Sequence, residues 1–346
     1  MTPTGSSPLT SSGRGVGIGV VVIGRNEGAR LERCLRSLLP QAATIVYVDS
    51  GSTDGSVALA RSLGVIVCEL DLARPFTAAR ARNAGVAALR AAAADVELLQ
   101  FVDGDFEVAL GWLPAARAFL GQRPEVVATC GRLRERFPER SIYNRLCDIE
   151  WNTPVGPARA CGGGVLMRRK AFEAVGGFRD DLIAGEEPEL CVRLRAAGGV
   201  IWRLDEEMAL HDAGMTRLGQ WWKRSMRGGY AYAEGAWLHG APPERHWVRE
   251  VCSACVWGLA LPLLLLLAGS LVHPAVLLGF LSYPLQVARL YVRGSGTAMP
   301  DGKGQSGVRL AQAFFLVLGK FPEAVGALKF AAGRLTGTRS RLIEYK

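Results

Sequence analysis

One long stretch of the chain has no charged residue. Residues 251–288 contain no Asp, Glu, Lys or Arg, although 21% of the 346 residues are charged. A His-Pro turn at 273–274 divides the stretch into two apolar runs, each near the ~20 residues that cross a bilayer. We therefore expect a transmembrane helical hairpin over 246–293, which argues against a purely soluble protein. A buried hairpin, or a re-entrant one broken at Pro262 or Pro284, is the alternative.

A secretory signal peptide is also lacking. Residues 1–15 are rich in Ser, Thr, Gly and Pro and are expected to form a disordered lead-in. Eight cysteines in a long chain without such a signal do not indicate a disulfide framework, so we expect reduced thiols in the cytoplasm. Cys252 and Cys255 have zinc-like spacing, but no second pair accompanies them, which favours two small apolar residues on a helix.

Basic charge is scarce outside the C-terminal part. The chain has 41 Lys and Arg against 32 Asp and Glu, a net charge of +9. Residues 289–346 hold ten of those basic and three of those acidic residues, so +7 belongs to them and +2 to residues 1–288. This distribution argues against nucleic acid as a partner and fits a tail on an anionic leaflet. Basic residues on both sides of the hairpin predict a multi-pass protein of the cell inner membrane whose catalytic domain is cytoplasmic.

Residues 294–346 are expected to form a basic, amphipathic juxtamembrane tail. One or two helices over 308–335 would lie at the membrane interface. A third span is disfavoured because it would carry Lys320 and Glu323 into hydrocarbon.

Between residues 16 and 245, strand-like runs alternate with helical patterns. Four β-rich runs, at 16–24, 43–49, 65–70 and 97–103, are separated by amphipathic segments. This alternation predicts βαβ units, an α/β domain and a mostly parallel sheet. Ligands of such sheets bind at the carboxyl ends of the strands. Polar clusters follow three of these runs, and they are RNE at 25–27, DSGSTD at 49–54 and DGD at 103–105.

The two common nucleotide-binding loops are absent. Gly15, Gly17 and Gly19 precede the end of the first strand, whereas a dinucleotide fingerprint places its glycines after the strand, and no GxxxxGK[ST] motif occurs. Asp103 and Asp105, by contrast, point to the same side of an extended segment. Such a pair can hold a hard divalent cation through oxygen, although a solvated turn has the same composition.

Six segments, in this order, resemble family 2 inverting glycosyltransferases of GT-A fold over about residues 16–235. They are VVIGRNEGARLERCLRSL, VYVDSGSTDGS, ARNAG, LLQFVDGD, CGGGVLMRRKAFEAVGGF and GEEPELCVRLRAAG. The resemblance implies a nucleotide-sugar donor, a divalent metal (Mg or Mn) and transfer with inversion at the anomeric carbon. It also implies that the donor is bound by Asn26, Glu27, Asp49, Ser52 and Asn83, with Asp103 at the ribose or metal and Asp105 as the principal metal ligand.

The acidic segment at 185–190 is the implied site of the catalytic base. Pro188 suits the first turn of a helix, which places the Glu residues at a helix start. By the resemblance, Glu187 takes the place of the base and Glu186 flanks it, although Glu replaces the family's Asp and Pro follows. Acidic residues also favour a helix N-terminus electrostatically, which is the alternative.

Further along the chain, His211 is the implied third metal ligand, or else a structural or acceptor-site histidine. The basic and aromatic segment 217–230 resembles the helix that closes the donor site in this family, where Arg224 and Arg227 would contact diphosphate or acceptor. It lacks the Gln-x-x-Arg-Trp motif of processive synthases, which favours transfer of a single sugar. A helix docked on the membrane surface, with its tryptophans at the headgroups, is a compatible alternative.

Together these features predict transfer of one sugar to a hydroxyl of a lipid or lipid-linked acceptor. A polyprenyl phosphate acceptor, which needs no base, stays open, although the Glu186-Glu187 pair favours the hydroxyl. Rival functions are a sugar-phosphate nucleotidyltransferase, whose glycine-rich basic loop is missing, and a catalytically degenerate membrane assembly subunit, which the retained acidic residues disfavour. The catalytic domain, 16–245, is expected to keep donor binding when cut from the hairpin.

Overall fold

The computed structural model describes residues 17–42, 44–294 and 305–337. The expected lead-in, 1–15, and the basic end of the tail, 338–346, lie outside these residues. Within the described part of the chain, nine strands form one mixed sheet.

Parallel strands form the N-terminal half of the sheet. β1 (Gly17–Gly24), β2 (Thr44–Asp49), β3 (Ile66–Glu69) and β4 (Val96–Asp103) lie in the order β3-β2-β1-β4. The helices between them are α1 (Ala29–Leu38), α2 (Ser56–Ser62) and α3 (Ala78–Ala92). Apolar side chains recur at helical spacing on α1, and that buried face packs on the sheet. The four predicted strand runs are confirmed.

The C-terminal half of the sheet is mixed. β8 (Val165–Arg168) is antiparallel to β4 and to β6 (Val126–Glu135), and β6 is parallel to β9 (Val200–His211). β5 (Phe106–Val108) and β7 (Gly156–Pro157) pair antiparallel with β9. The helices of this half are α4 (Trp112–Gln122), α5 (Ile142–Glu150), α6 (Arg169–Ala174) and α7 (Glu186–Ala196). The architecture is the predicted α/β type, with a mostly parallel sheet.

Strand register brings the predicted polar clusters to one edge of the sheet. Asp103 of β4 is in register with Ile23 of β1, and Asp49 of β2 with Gly24. β5 begins directly after Asp105 and pairs with β9, which places Phe106 opposite His211. Residues far apart in sequence are therefore close together at the carboxyl ends of the strands.

Two long apolar helical segments follow α8 (Leu218–His239). The first, Val248–Leu271, consists of α9 (Val248–Cys255), a π-helical turn (Val256–Ala260) and α10 (Leu261–Leu271). The second, Pro274–Arg293, consists of a 3₁₀ helix (Pro274–Leu281) and α11 (Ser282–Arg293).

Both segments can cross a membrane by length and composition, and only 11% and 0% of their most apolar windows are buried. A hairpin enclosed by the described part of the chain is thereby ruled out, while membrane insertion stays a prediction. Pro262 follows the π-helical turn and Pro284 follows the 3₁₀ helix, so each lies where the helical hydrogen-bond pattern changes.

Two further helices, α12 (Gln305–Leu318) and α13 (Lys320–Thr336), lie in the segment for which the sequence predicts one or two. α13 packs so closely along α8 that a β-carbon added at Gly229 would lie 2.0 Å from the carbonyl oxygen of Glu323. A segment beyond residue 245 thus packs on α8, and the domain boundary at residue 245 stays a prediction. A position of these helices at the membrane surface stays a prediction.

Candidate active site

A cavity of about 1060 Å³ lies at the carboxyl ends of β1 and β4. The loops after these strands and the start of α7 form part of its wall, and α5, α8, α12 and the start of α13 form the rest. Most site residues predicted from the sequence line it, and they are Asn26, Glu27, Asp103, Asp105, Glu186, Glu187, His211, Arg224 and Arg227.

Arg82, on α3, connects the two acidic segments of the cavity. Its side chain is 3% exposed and donates to Asp103 Oδ1 at 2.8 Å and to Glu186 Oε1 at 2.5 Å. Burial raises the pKa of Asp103 in spite of the arginine, whereas the pKa of Glu186 is lowered because the charges of Arg82 and Arg227 outweigh its burial. The sequence prediction did not select Arg82, and its place in the ARNAG segment was the available signal.

His211 is held against Asp105, with 3.1 Å between Nε2 and Oδ2. The imidazole stacks on Trp151, with ring centroids 4.6 Å apart, and is tilted against Phe106 at 4.8 Å. These two aromatic contacts restrict rotation of the imidazole. The pairing of β5 with β9 therefore brings a carboxylate and an imidazole to one point of the cavity.

The donor set of Asp105, Asp103 and His211 fits a divalent cation. Mg²⁺ is usually bound through one or two carboxylates plus substrate phosphates, and Mn²⁺ accepts similar oxygen ligands. Within the described residues, no three His, Cys, Asp or Glu side chains lie together as a ligand set for a metal ion, and Asp103 is bonded to Arg82. Substrate phosphates would therefore have to supply the remaining ligands. Gly163 leaves room there, because a β-carbon on it would lie 2.9 Å from Asp103 Oδ2.

Glu186 and Glu187 have different environments, although they are neighbours at the start of α7. Glu187 is 2% exposed, and its carboxylate accepts the N–H groups of Cys161 and Gly162, both at 2.9 Å, and the Cys191 thiol at 2.8 Å. Burial raises the pKa of Glu187. The side chain of Glu186 is 12% exposed and binds the buried arginine described above. Both residues line the cavity, and Glu186 is the more exposed of the two.

Asn26 and Ser52 tie the loop after β1 to the loop after β2. The Asn26 N–H donates to Ser52 Oγ at 2.9 Å, and Asn26 Oδ1 accepts from the Thr53 N–H at 2.7 Å. Asp49 is 3% exposed and accepts the Ser52 N–H at 2.8 Å and the Tyr47 hydroxyl at 2.9 Å. Asp49 and Ser52 are not among the described residues that line the cavity, so contact with a nucleoside stays a prediction for them.

Asn83 and Arg224 make pairings that the sequence did not predict. Asn83 exchanges hydrogen bonds with the backbone of Phe178, at 2.8 and 3.0 Å, so it fastens α3 to a neighbouring loop and is absent from the described cavity lining. Arg224 makes two hydrogen bonds of 2.8 Å to Glu150. Arg224 and Arg227 do line the cavity, whereas donor binding by Asn83 would need this structural pairing to change.

The sequence analysis did not predict that α5, α12 and α13 would form a wall of the cavity. Glu150 ends α5, and Phe315, Leu316 and Glu323 belong to the tail that we expected at the membrane interface. No local pattern distinguishes them from other helix residues. Only the packing of α13 on α8 brings them to the cavity.

Residues 19–176 match the model of glycosyl transferase family 2. Over 137 residues the chain is 31% identical to a TPR repeat-containing protein of Synechococcus elongatus, a match that covers 40% of this chain and only 32% of that protein.

Among the solved structures similar to this one are a mannosyltransferase and a glucosyl-3-phosphoglycerate synthase. The mannosyltransferase PcManGT from Pyrobaculum calidifontis, in complex with GDP-Man and Mn²⁺, aligns with a TM-score of 0.56 at 18% identity, over 94% of this chain and 90% of that chain. Glucosyl-3-phosphoglycerate synthase from Mycobacterium tuberculosis, with Mn²⁺, UDP-Glc and phosphoglyceric acid, aligns with a TM-score of 0.49 at 19% identity, over 66% and 81% of the two chains.

The family match covers β1 to α6, the segment that carries Asp103, Asp105 and the loops after the parallel strands. It agrees with the sheet order and with the position of the cavity. Residues 19–176 are therefore similar to glycosyl transferase family 2, and the fold is of the GT-A type.

Proposed function

We propose that the protein is a metal-dependent inverting glycosyltransferase. It moves one sugar from a nucleotide-diphosphate sugar to a hydroxyl of a lipid or lipid-linked acceptor at the cytoplasmic face of the membrane. One observation carries the proposal. The acidic strand ends and the helices adjoining the two apolar segments line the same cavity. GDP-Man and Mn²⁺ in the PcManGT structure support a nucleotide-sugar donor and a divalent cation.

Asp105, Asp103 and His211 are the residues that would hold the cation. A bound Mg²⁺ or Mn²⁺ supplies neutralisation of the charge that develops on the leaving nucleoside diphosphate. Asn26 and Glu27, which line the cavity after β1, would position the nucleoside. Arg82 adds positive charge beside Asp103, and Arg82 and Arg227 together add it beside Glu186.

Glu186 is the proposed general base, in place of Glu187. The acceptor hydroxyl must lose a proton as it attacks the anomeric carbon, and a carboxylate that lines the cavity can accept it. The Arg82 guanidinium fixes the position of the Glu186 carboxylate. Glu187, enclosed by three hydrogen-bond donors, instead holds the glycine-rich segment before β8 against α7.

A donor screen with the full-length protein in detergent tests the proposal. Nucleoside diphosphate release is measured for a panel of nucleotide sugars with Mn²⁺, with Mg²⁺ and with EDTA, in the presence and absence of a total lipid extract. We expect one donor to be used, activity that EDTA abolishes, and stimulation by lipid. Release that persists in EDTA would contradict the metal role, and absence of lipid stimulation would contradict the lipid acceptor.

A further inference from the structure

The cavity extends beyond the strand ends that are assigned to the donor. Single ligands of drug size occupy pockets of about 300–1,000 Å³, and this cavity measures about 1060 Å³. The part formed by α5, α8, α12 and α13 carries none of the strand-end residues assigned to the donor. We propose that this wall, hereafter the helical wall, is an acceptor subsite for the uncharged sugar of a lipid-linked saccharide, an inference that rests on the proposed function.

Aromatic rings form one part of the helical wall. Phe315 of α12 meets Trp221 of α8 edge to face, with ring centroids 4.9 Å apart, and Tyr143 of α5 is 5.5 Å from the same phenylalanine. Trp221 and Phe315 both line the cavity. Fixed aromatic rings offer an apolar surface to the C–H face of a sugar ring at low entropic cost.

Paired charges form part of the polar surface of the helical wall, and they favour a neutral ligand. Arg227, which also lines it, donates to the backbone oxygen of Ile183 at 3.2 Å and lies near Glu186. Glu150 binds both terminal nitrogens of Arg224 at 2.8 Å, and Glu323 binds Lys320 Nζ at 2.6 Å. A phosphate would have to compete with these carboxylates for each cation and would be repelled by them. Sugar hydroxyls, in contrast, can donate to carboxylate oxygens that already accept from a cation.

The helical wall is continuous with the apolar segments. Tyr283 of α11 donates its hydroxyl to the backbone oxygen of Trp257 at 2.6 Å and stacks on Phe321 of α13 at 5.7 Å. Leu316, which lines the cavity, is half exposed. A saccharide on a lipid whose chain lies beside these segments would thus reach the cavity from the side of the helical wall.

Transfer to three acceptor probes by full-length protein in detergent tests this assignment. They are an alkyl β-glycoside, farnesyl phosphate and dioleoylglycerol, offered with the donor found in the screen. We expect transfer to the glycoside alone. Preferred transfer to farnesyl phosphate or dioleoylglycerol would overturn the assignment, as would failure to use any glycoside while donor turnover persists. If Mn²⁺-dependent binding of nucleoside diphosphate is itself absent, the proposed function fails and not only the subsite.

Two variants connect the result to the helical wall. Phe315→Ala and Glu323→Gln should each raise KM for the glycoside about tenfold, the effect of losing one stacking or hydrogen-bonding contact of about 1.4 kcal/mol, with the dissociation constant of nucleoside diphosphate unchanged. Phe314→Ala is the matched control, because Phe314 is 49% exposed and is absent from the described lining. Equal effects of Phe314→Ala and Phe315→Ala on KM would refute the subsite.

Discussion

Exchanging each glutamate at the start of α7 for glutamine separates catalysis from structure. Glu186→Gln keeps the side-chain volume but removes the proposed base, so we expect a transfer rate lower by roughly 10²–10⁴-fold, the usual contribution of a positioned base. Glu187→Gln places an amide NH₂ group against the N–H groups of Cys161 and Gly162 and the Cys191 thiol, all of which are donors. It replaces charge-assisted hydrogen bonds worth about 1.5–3 kcal/mol each with weaker or repulsive contacts. We expect a less stable protein for Glu187→Gln and a slower one for Glu186→Gln.

Single-turnover transfer and thermal unfolding, measured on the same preparations, distinguish the two effects. The dissociation constant of nucleoside diphosphate with Mn²⁺ controls for lost donor binding. Because the Glu186 carboxylate also binds Arg82, Glu186→Asp serves as a second control that keeps the charge and is expected to recover part of the rate. A Glu187→Gln protein that unfolds normally but transfers slowly, beside an active Glu186→Gln protein, would return the base to Glu187 and refute the assignment from burial.

Three further changes test the cation site and the domain boundary. Asp105→Asn should reduce Mn²⁺-dependent nucleoside diphosphate release to the level in EDTA with an unchanged unfolding temperature; full activity in Mn²⁺ would contradict its role as ligand. Trp151→Ala removes the stack on His211, which is worth about 0.5–1.5 kcal/mol for an aromatic pair. Mn²⁺ affinity measured by electron paramagnetic resonance should therefore fall by roughly 2–12-fold and be restored in Trp151→Phe. Equal affinities of the wild-type and Trp151→Ala proteins would show that the stack does not position the imidazole. A chain ending at residue 245 should unfold at a lower temperature than the full chain, and an unchanged unfolding temperature would support the domain boundary expected from the sequence.

Local sequence patterns were sufficient for the N-terminal half of the fold. Alternating apolar runs and amphipathic helices determine strand identity, and the parallel arrangement follows because each helix needs an apolar sheet face to cover. That is why the placement of Asp49 and Asp103 at the carboxyl ends of parallel strands was predicted correctly. The apolar, uncharged composition of 251–288 likewise predicted both long helical segments before any packing was known.

Side-chain roles that depend on tertiary contacts were not predictable in this way. Glu186 and Glu187 have the same chemistry and adjacent positions, and only the approach of the Cys161-Gly162 backbone determines which carboxylate is enclosed. Arg82 acquires its bridging position because α3 is set beside α7 by the sheet. No periodicity in the sequence contains that information.

The packing of α13 on α8 constrains how the chain can lie in a membrane. Helix α8 precedes the two apolar segments and α13 follows them, yet backbone atoms of the two helices meet at Gly229. If the segments cross the bilayer, they must cross it an even number of times, because an odd number would leave α8 and α13 on opposite faces. Lys320 and Glu323 form an ion pair at the cavity beside α8, so a third span through them would dismantle the helical wall. If the two segments do span a membrane, tertiary packing and the positive residues on both flanks favour the same topology, in which the hairpin leaves the catalytic face and returns to it.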